Sequence, residues 1–505
     1  MLQRLLLVFL LVASSLPGWA QFQQCRDLVF TTQQQVDDFA AIGCSGIDGN
    51  LTIYGSNGNG TGGITNLAPL STITFVTGNL GLILDRMPNT QGLGNIKSIG
   101  GTLTITGALV LAGIDQNTFS SLESIGSGLV ISDNTSLTNI SGFPKLRSCN
   151  YIEIVRNSGL GAITGLNAVN SLVSLSINKC GSLRSVSGFN GLVTGAQLFI
   201  VYNKSLAQIT GFTALTAANG LIINNNGALT ELSGFNALNS LKEQLQIHSD
   251  SSLTSISGFN DTLVVNGAVT IDRNPVLRSI TGFTGLKAVS LGISNNKSLP
   301  DVKGFTSSRL TNVSLSFNDN LKSLSGFALA EVTESINLNY NAMLDSIGTF
   351  KAGAAPAYIG VENNASLKSL AGGFIYSNYS TLSTLRLFNN PVLAACTEFW
   401  VCQYLRRAGR SFISGNAPSC TEAAILANCQ TLATQQPVAL APAYPNPVRD
   451  VLYLSSKTHF RLRDLMGRVL LQGEASQVSM AALPTGVYVL ETGRETTKSV
   501  RIIKQ

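Results

Sequence analysis

An aliphatic-x-aliphatic-x-x-Asn pattern recurs through the middle of the chain, and its spacing restricts the fold to a stack of near-identical turns. It reads Leu129-x-Ile131-x-x-Asn134, Ile152-x-Ile154-x-x-Asn157, Leu198-x-Ile200-x-x-Asn203 and Leu385-x-Leu387-x-x-Asn390. The last slot falls at Asn134, Asn157, Cys180, Asn203, Asn226, Asp250, Asn274, Asn296, Asn318, Asn341, Asn364 and Asn390, in steps of 22 to 26 residues and most often 23. A second motif rides on the same period, as in Ser136-Leu137-x-x-Ile140-x-Gly142-Phe143 and Ser252-Leu253-x-x-Ile256-x-Gly258-Phe259. Each rung therefore holds two short strands separated by turns. Before residue 129 the triplets are less regular (Leu51-x-Ile53, Leu82-x-Leu84, Leu103-x-Ile105), and the whole array amounts to roughly fifteen turns with atypical ends.

In an extended segment alternate side chains share a face, so both aliphatics of each triplet point inward with the Leu, Ile and Phe of the second motif. The hydrocarbon of one rung is too little to offset the entropy of ordering its own backbone, so a lone rung cannot fold. Stacking supplies the remainder through parallel ladders and shared apolar surface. The Asn file belongs to the same logic. A turn that dips inward strips water from its amides and carbonyls, and a carboxamide can both donate to and accept from them. These Asn are structural, and so is the recurrent Gly, which permits either an unusual backbone conformation or a close approach.

Only 12% of the residues are charged and 7% aromatic, while Gly reaches 49, a balance that suits short strands and tight turns. The fold class is all-β. Of the net charge of +6, Arg4 and the last 65 residues hold all but about one unit, so the body is nearly neutral and offers no electrostatic footprint for nucleic acid. Residues 1–20 have the form of a secretory signal: Arg4, an apolar run from Leu5 to Val12, and Gly18-Trp19-Ala20 before Gln21. No transmembrane segment is expected in the rest of the chain.

The rungs, together with Leu28-Val29-Phe30, Thr32 to Phe39, Cys44 and Gly49-Asn50-Leu51-Thr52-Ile53, resemble the receptor L-domain group of leucine-rich-repeat-like solenoids over about residues 25–395. The resemblance implies a right-handed β-solenoid with a short amino-terminal capping helix and a helical carboxy-terminal cap. Thr32 and Gln35 have capping-box spacing, which places the lid helix. A second resemblance lies in Tyr444-Pro445-Asn446-Pro447, Asp464-Leu465-Met466-Gly467-Arg468, Leu483-Pro484-x-Gly486-Val487-Tyr488 and the basic end Arg501-Ile502-Ile503-Lys504. These are similar to the carboxy-terminal sorting domain of type IX secretion cargo in Bacteroidetes, and they imply handling by that machinery, passage through the periplasm, and release or attachment at the outer-membrane surface. Alternation in Val451-Leu452-Tyr453-Leu454 and Gly486-Val487-Tyr488-Val489-Leu490 predicts a small β-sandwich there. The expected organisation is a signal segment 1–20, a solenoid 21–395, a disulfide-rich cap 396–430, a linker 431–442 and a sorting domain 443–505.

Eight cysteines in an exported chain make disulfides plausible. Cys25 and Cys44 flank the lid and are expected to pair. Cys396, Cys402, Cys420 and Cys429 allow three connectivities, of which 396–420 with 402–429 is favoured; they lack the C-x-x-C pair of a zinc site. Cys149 and Cys180 are expected to be buried free thiols.

Functional chemistry is sparse. His248 shares an outward column with Asp272, Ser294 and Ser316, which puts Ser294 two rungs, about 10 Å, from the imidazole and makes a hydrolytic triad a poor reading. Phe199, Val201 and Tyr202 with Ile222 on the next rung are expected to form an exposed apolar patch, and Phe317 beside Tyr340 repeats the theme. Asp261-Thr262-Leu263 and Asp345-Ser346-Ile347 resemble Bacteroidetes O-glycosylation sites, on three residues each. The expectation is a secreted or surface-bound protein that is no enzyme and needs no cofactor or metal. It would bind a glycan, peptide or matrix ligand; the alternative is a structural coat or spacer without a ligand. A polysaccharide-active β-helix enzyme comes third, because no file of clustered carboxylates is present.

Overall fold

A computed structural model describes residues 25–56, 63–328, 330–407, 409–434, 443–444, 448–464, 467–492 and 498–505. The expected signal segment, linker residues 435–442, Pro445-Asn446-Pro447 and Leu465-Met466 lie outside them. Two compact units are present, residues 1–426 and 427–505. Their boundary falls inside the helix Glu422–Thr434, which runs on into the stretch expected to be linker.

The first unit is a parallel β-solenoid of about 16 turns. Its main wall is a 19-stranded sheet from Arg26–Phe30 to Arg410–Ser414, and within it equivalent triplets pair in register, for example Leu175 with Leu198 with Leu221 and Ile177 with Ile200 with Ile223. All six of these side chains are fully buried, as the period-two pattern demands. Two-residue strands of the second motif form a separate ladder, Asn139–Ile140 to Ala162–Ile163 to Ser185–Val186 to Gln208–Ile209. A third file, not foreseen, links Ser148, Ser171, Thr194 and Ala217. Farther along it merges with the main wall, lengthening the strands to Val264–Asp272, Lys287–Ser294, Arg309–Ser316 and Glu331–Asn339.

Behind the second ladder a column of rings runs Phe189, Phe212, Phe235, Phe259, Phe283, Phe305, Phe327, Phe350 and Phe374, with neighbouring centroids 5.0–5.7 Å apart and nearly parallel planes. Trp400, on the helix Phe399–Leu405, closes the stack edge-on at 5.3 Å. At the other end the helix Gln33–Ile42 covers the first rung. It begins with the expected Thr32/Gln35 capping box and packs Phe39 edge-on to Phe30. Cys25 bonds Cys44 and Cys396 bonds Cys420, while Cys402 and Cys429 are also in disulfide form. Cys149 and Cys180 are buried and free, and burial pushes both thiols up to about 11.

The recurrent Gly serves two ends in different parts of the array. In the early rungs the following residue, Phe143, Leu166, Phe189 or Phe212, takes the left-handed conformation, and the Gly is needed for closeness: a Cβ on Gly188 or Gly211 would lie 2.3 or 2.0 Å from the carbonyl oxygen of the Gly one rung before. From Gly234 onward several of these Gly carry the positive φ themselves, 104° at Gly234 and 87° at Gly282 and Gly304.

The Asn file is aligned in space and interrupted only at Cys180 and Asp250. Each Oδ1 accepts the backbone amide of the preceding slot, as from Asn274 to Asn296 and from Asn296 to Asn318, both at 3.1 Å. Each Nδ2 donates to a carbonyl of the preceding rung, Asn296 to Ile271 at 2.9 Å and Asn318 to Ile293 at 2.9 Å. Asn416 extends the file one rung past its expected end, accepting from Asn390 and donating to Leu387. Replacing Asn296 by Leu strands the Ile271 carbonyl and the Asn274 amide, so chemical denaturation is expected to show a loss of roughly 3 kcal/mol or more.

Asp250 holds one of these slots without a second donor. Its Oδ1 accepts from the Asn226 amide at 2.7 Å, whereas the buried Oδ2 has no partner, and burial pushes the carboxyl from an ordinary 3.8 up to about 7. A protonated Asp250 carries an O–H where its neighbours carry Nδ2. Because the folded state holds this proton after the unfolded chain has released it, the stabilisation is full below about pH 4 and is lost as pH rises to about 7. Asp250→Asn is expected to remove that dependence: its stability advantage over the wild type, measured by denaturant midpoints, grows between pH 4 and 7 and is flat above.

The second unit is an antiparallel sheet of Ala443–Tyr444, Val451–Arg463, Val469–Ser479, Gly486–Thr492 and Lys498–Lys504. Hydrogen bonds join all five strands into one network, and a bridge between Val448 and Lys504 ties its start to its last strand. The long strand Val451–Arg463 makes this possible, pairing along one edge with Val469–Ser479 and along part of the other with Gly486–Thr492. One face buries Leu452, Phe460, Leu462, Tyr488, Leu490 and Ile502.

Candidate functional site

The outward face of the main wall and the corner that follows it are the surfaces on which side chains are free to vary. At the corner, the residue before each slot adopts the left-handed conformation: Asp133, Arg156, Lys179, Tyr202, Asn225, Ser249, Arg273, Asn295, Phe317, Tyr340, Asn363 and Asn389 all have φ between 53° and 60°. Non-glycine residues enter this region at a cost of about 1–2 kcal/mol. The turn is held by the Asn that follows, whose side chain is buried, so the corner side chain is turned out to solvent. Neighbours one rung apart then meet in register. Arg156 forks onto Asp133 at 2.6 and 2.7 Å, which lowers the Asp133 pKa, and Asn389 bonds Asn363 at 2.7 Å.

Phe317 and Tyr340 are such a corner pair. Their rings stack with centroids 4.6 Å apart and planes 6° from parallel, yet they are 47% and 48% exposed. Tyr202 is a corner residue as well, 48% exposed. It stands five rungs from Phe317, about 24 Å, so the two groups are separate.

The patch around Tyr202 differs from expectation. Phe199 and Ile222 are directly paired on the sheet face but half-buried, and Val201 is only 9% exposed and belongs with the core. Val201 lies between Asn178 and Asn224 in register, and a short branched side chain between two longer amides is shielded even on an outward position. Val201→Ser is therefore expected to lower stability by about 1–2 kcal/mol, while Tyr202→Ser stays within about 0.5 kcal/mol, read from thermal unfolding.

His248 faces Asp272 across one rung, but Asp272 is otherwise engaged, accepting from Ser294 at 2.7 Å and Asn295 at 2.9 Å and pairing with Arg273 at 2.8 Å. Burial, then Arg273, lower the His248 pKa against the smaller opposing pull of Asp272, which favours neutral imidazole. Ser294 bonds the carboxylate, and no Ser-His-Asp relay is assembled. Among the described residues no cluster of three or more His, Cys, Asp or Glu could hold a metal ion.

One constellation escaped the sequence reading. On the last rungs Gly360, Arg386 and Phe412 are neighbours in one outward file. The Tyr358 ring lies over Gly360, where a Cβ would come within 2.7 Å of it, and its hydroxyl reaches Glu362 at 3.2 Å. Glu362 also receives the Arg386 fork at 2.8 and 3.2 Å, and the guanidinium lies 5.1 Å from the centre of the Phe412 ring. These residues come from three successive rungs and share no motif in the sequence.

The chain thus combines a parallel solenoid, built on a buried Asn file, with a separately folded carboxy-terminal sheet. Residues 442–505 match the secretion system C-terminal sorting domain, so the protein is cargo of type IX secretion, delivered to the cell surface or the extracellular space. No described helix is long and apolar enough to cross a membrane. No curated protein matches the chain. Among solved structures, the complex of TLR13 with ssRNA13 is similar at 14% identity over 73% of this chain and 68% of that one, with a TM-score of 0.23, too low to carry an argument.

Proposed function

We propose that the exported solenoid is a non-enzymatic binding or adhesion protein that presents its repeat surface to an extracellular glycan, peptide or matrix component. The observation that carries this reading is the stacked Phe317–Tyr340 pair. Two large rings stand nearly half exposed at corners where most other rungs carry polar or charged side chains. Rigid aromatic surfaces of this kind contribute strongly to association, since little conformational freedom is lost when they are covered. No step of covalent chemistry is required of the face, and the neutral body leaves recognition to shape, rings and hydrogen bonds.

The test uses the full chain, wild type and Phe317→Ser/Tyr340→Ser, against immobilised glycans and matrix proteins. Retention of at least one ligand is expected, with at least a tenfold loss in the double variant and an unchanged unfolding midpoint. A wild type that retains nothing across both panels would favour the coat or spacer reading instead.

A further inference from the structure

The Tyr358–Glu362–Arg386–Phe412 constellation places three flat groups on three successive rungs. The Tyr358 ring fills the space over Gly360, the Arg386 guanidinium follows, and the Phe412 ring comes last. At a rung spacing of ~4.8 Å the strip spans about 10 Å between its outer rings, a length that a short oligosaccharide covers. Glu362, on the same face of the Tyr358–Glu362 strand, fixes it from the side. Its carboxylate holds the Tyr358 hydroxyl and both branches of the Arg386 fork, so the planes are set before any ligand arrives.

Two further features select the chemistry. Phe412 is half exposed and Arg386 is partly so, although neither the sheet nor the cap requires a bare ring there. The Arg386 charge is already matched by Glu362, whose side chain is mostly buried, so the strip is locally neutral, and the guanidinium lies over the Phe412 ring. A pyranose ring has an apolar C–H face that lies on such planes and a rim of hydroxyls that can use the free guanidinium N–H groups. A carboxylate or sulfate would place a second anion beside Glu362, with the one guanidinium charge shared between the two.

We propose that Tyr358, Arg386 and Phe412 form a subsite for a neutral oligosaccharide, an inference that rests on the binding role above and names its ligand class. Calorimetric titration of the full chain with cellohexaose, laminarihexaose and mannohexaose, with hexagalacturonate as the acidic counterpart, tests it. At least one neutral hexaose is expected to bind more tightly than hexagalacturonate, with at least a tenfold loss for Phe412→Ser, a comparable loss for Phe412→Leu, which keeps apolar bulk without a plane, and retention for Phe412→Tyr. The inference is overturned if no neutral hexaose binds, if hexagalacturonate binds best, or if Phe412→Leu binds as the wild type does. Should the chain bind no hexaose yet still capture a matrix protein through Phe317 and Tyr340, the subsite falls while the broader binding role stands.

Discussion

The carboxamide relay from Asn134 to Asn416 is the constraint on which the rest of the molecule depends. From Asn134 onward each turn folds inward at this file, and would bury an amide and a carbonyl without water if the side chain of the next rung were not there to meet them. Every Asn of the file bonds to another rung, and only Asn341 and Asn364 add a bond within their own. A turn is therefore complete only as a member of the stack, which is why the two ends need lids: the helix Gln33–Ile42 with the Cys25–Cys44 bond, and the helix Phe399–Leu405 with the Cys396–Cys420 bond. Interruptions are confined to substitutes that keep part of the relay. At Cys180 the backbone amide still donates to Asn203, and at Asp250 the carboxylate still accepts from Asn226.

The same relay creates the exposed surface. Holding the slot residue inside forces the preceding residue into the left-handed region, and its side chain outward, twelve times over from Asp133 to Asn389. Because the backbone supplies the structure, these corners accept very different side chains, and register brings like positions together one rung apart. An ion pair at Asp133 and Arg156, an aromatic stack at Phe317 and Tyr340, and an amide pair at Asn363 and Asn389 are three uses of one geometry. Function in such an array can change at the corner without disturbing the core.

Much of this was legible beforehand. A period near 23 with two aliphatics and an Asn places strand, core face and buried file together, and the Thr32/Gln35 spacing marks the lid helix, because all of these depend on contacts within a rung or on a strict repeat. Asn416 was missed because Ser411 replaces the first aliphatic of its triplet, although the step of 26 from Asn390 repeats the step before it. The sorting domain was legible as alternating strands, but the reach of Val451–Arg463, which pairs along one edge with Val469–Ser479 and along part of the other with Gly486–Thr492, was not.

The sequence by itself determined the period and the inward residues, since these follow from repetition and from short-range chemistry, while it left three connectivities for the four carboxy-terminal cysteines. Only the tertiary structure decided which outward residues are free. Val201 and Tyr202 are adjacent in the chain, yet one is core and the other solvent-exposed. Tyr358 comes to lie over Gly360 and joins Arg386 and Phe412 from two further rungs. Exposure at a given position is set by the side chains one rung above and below, and those lie more than twenty residues away in the sequence, outside the reach of any local pattern.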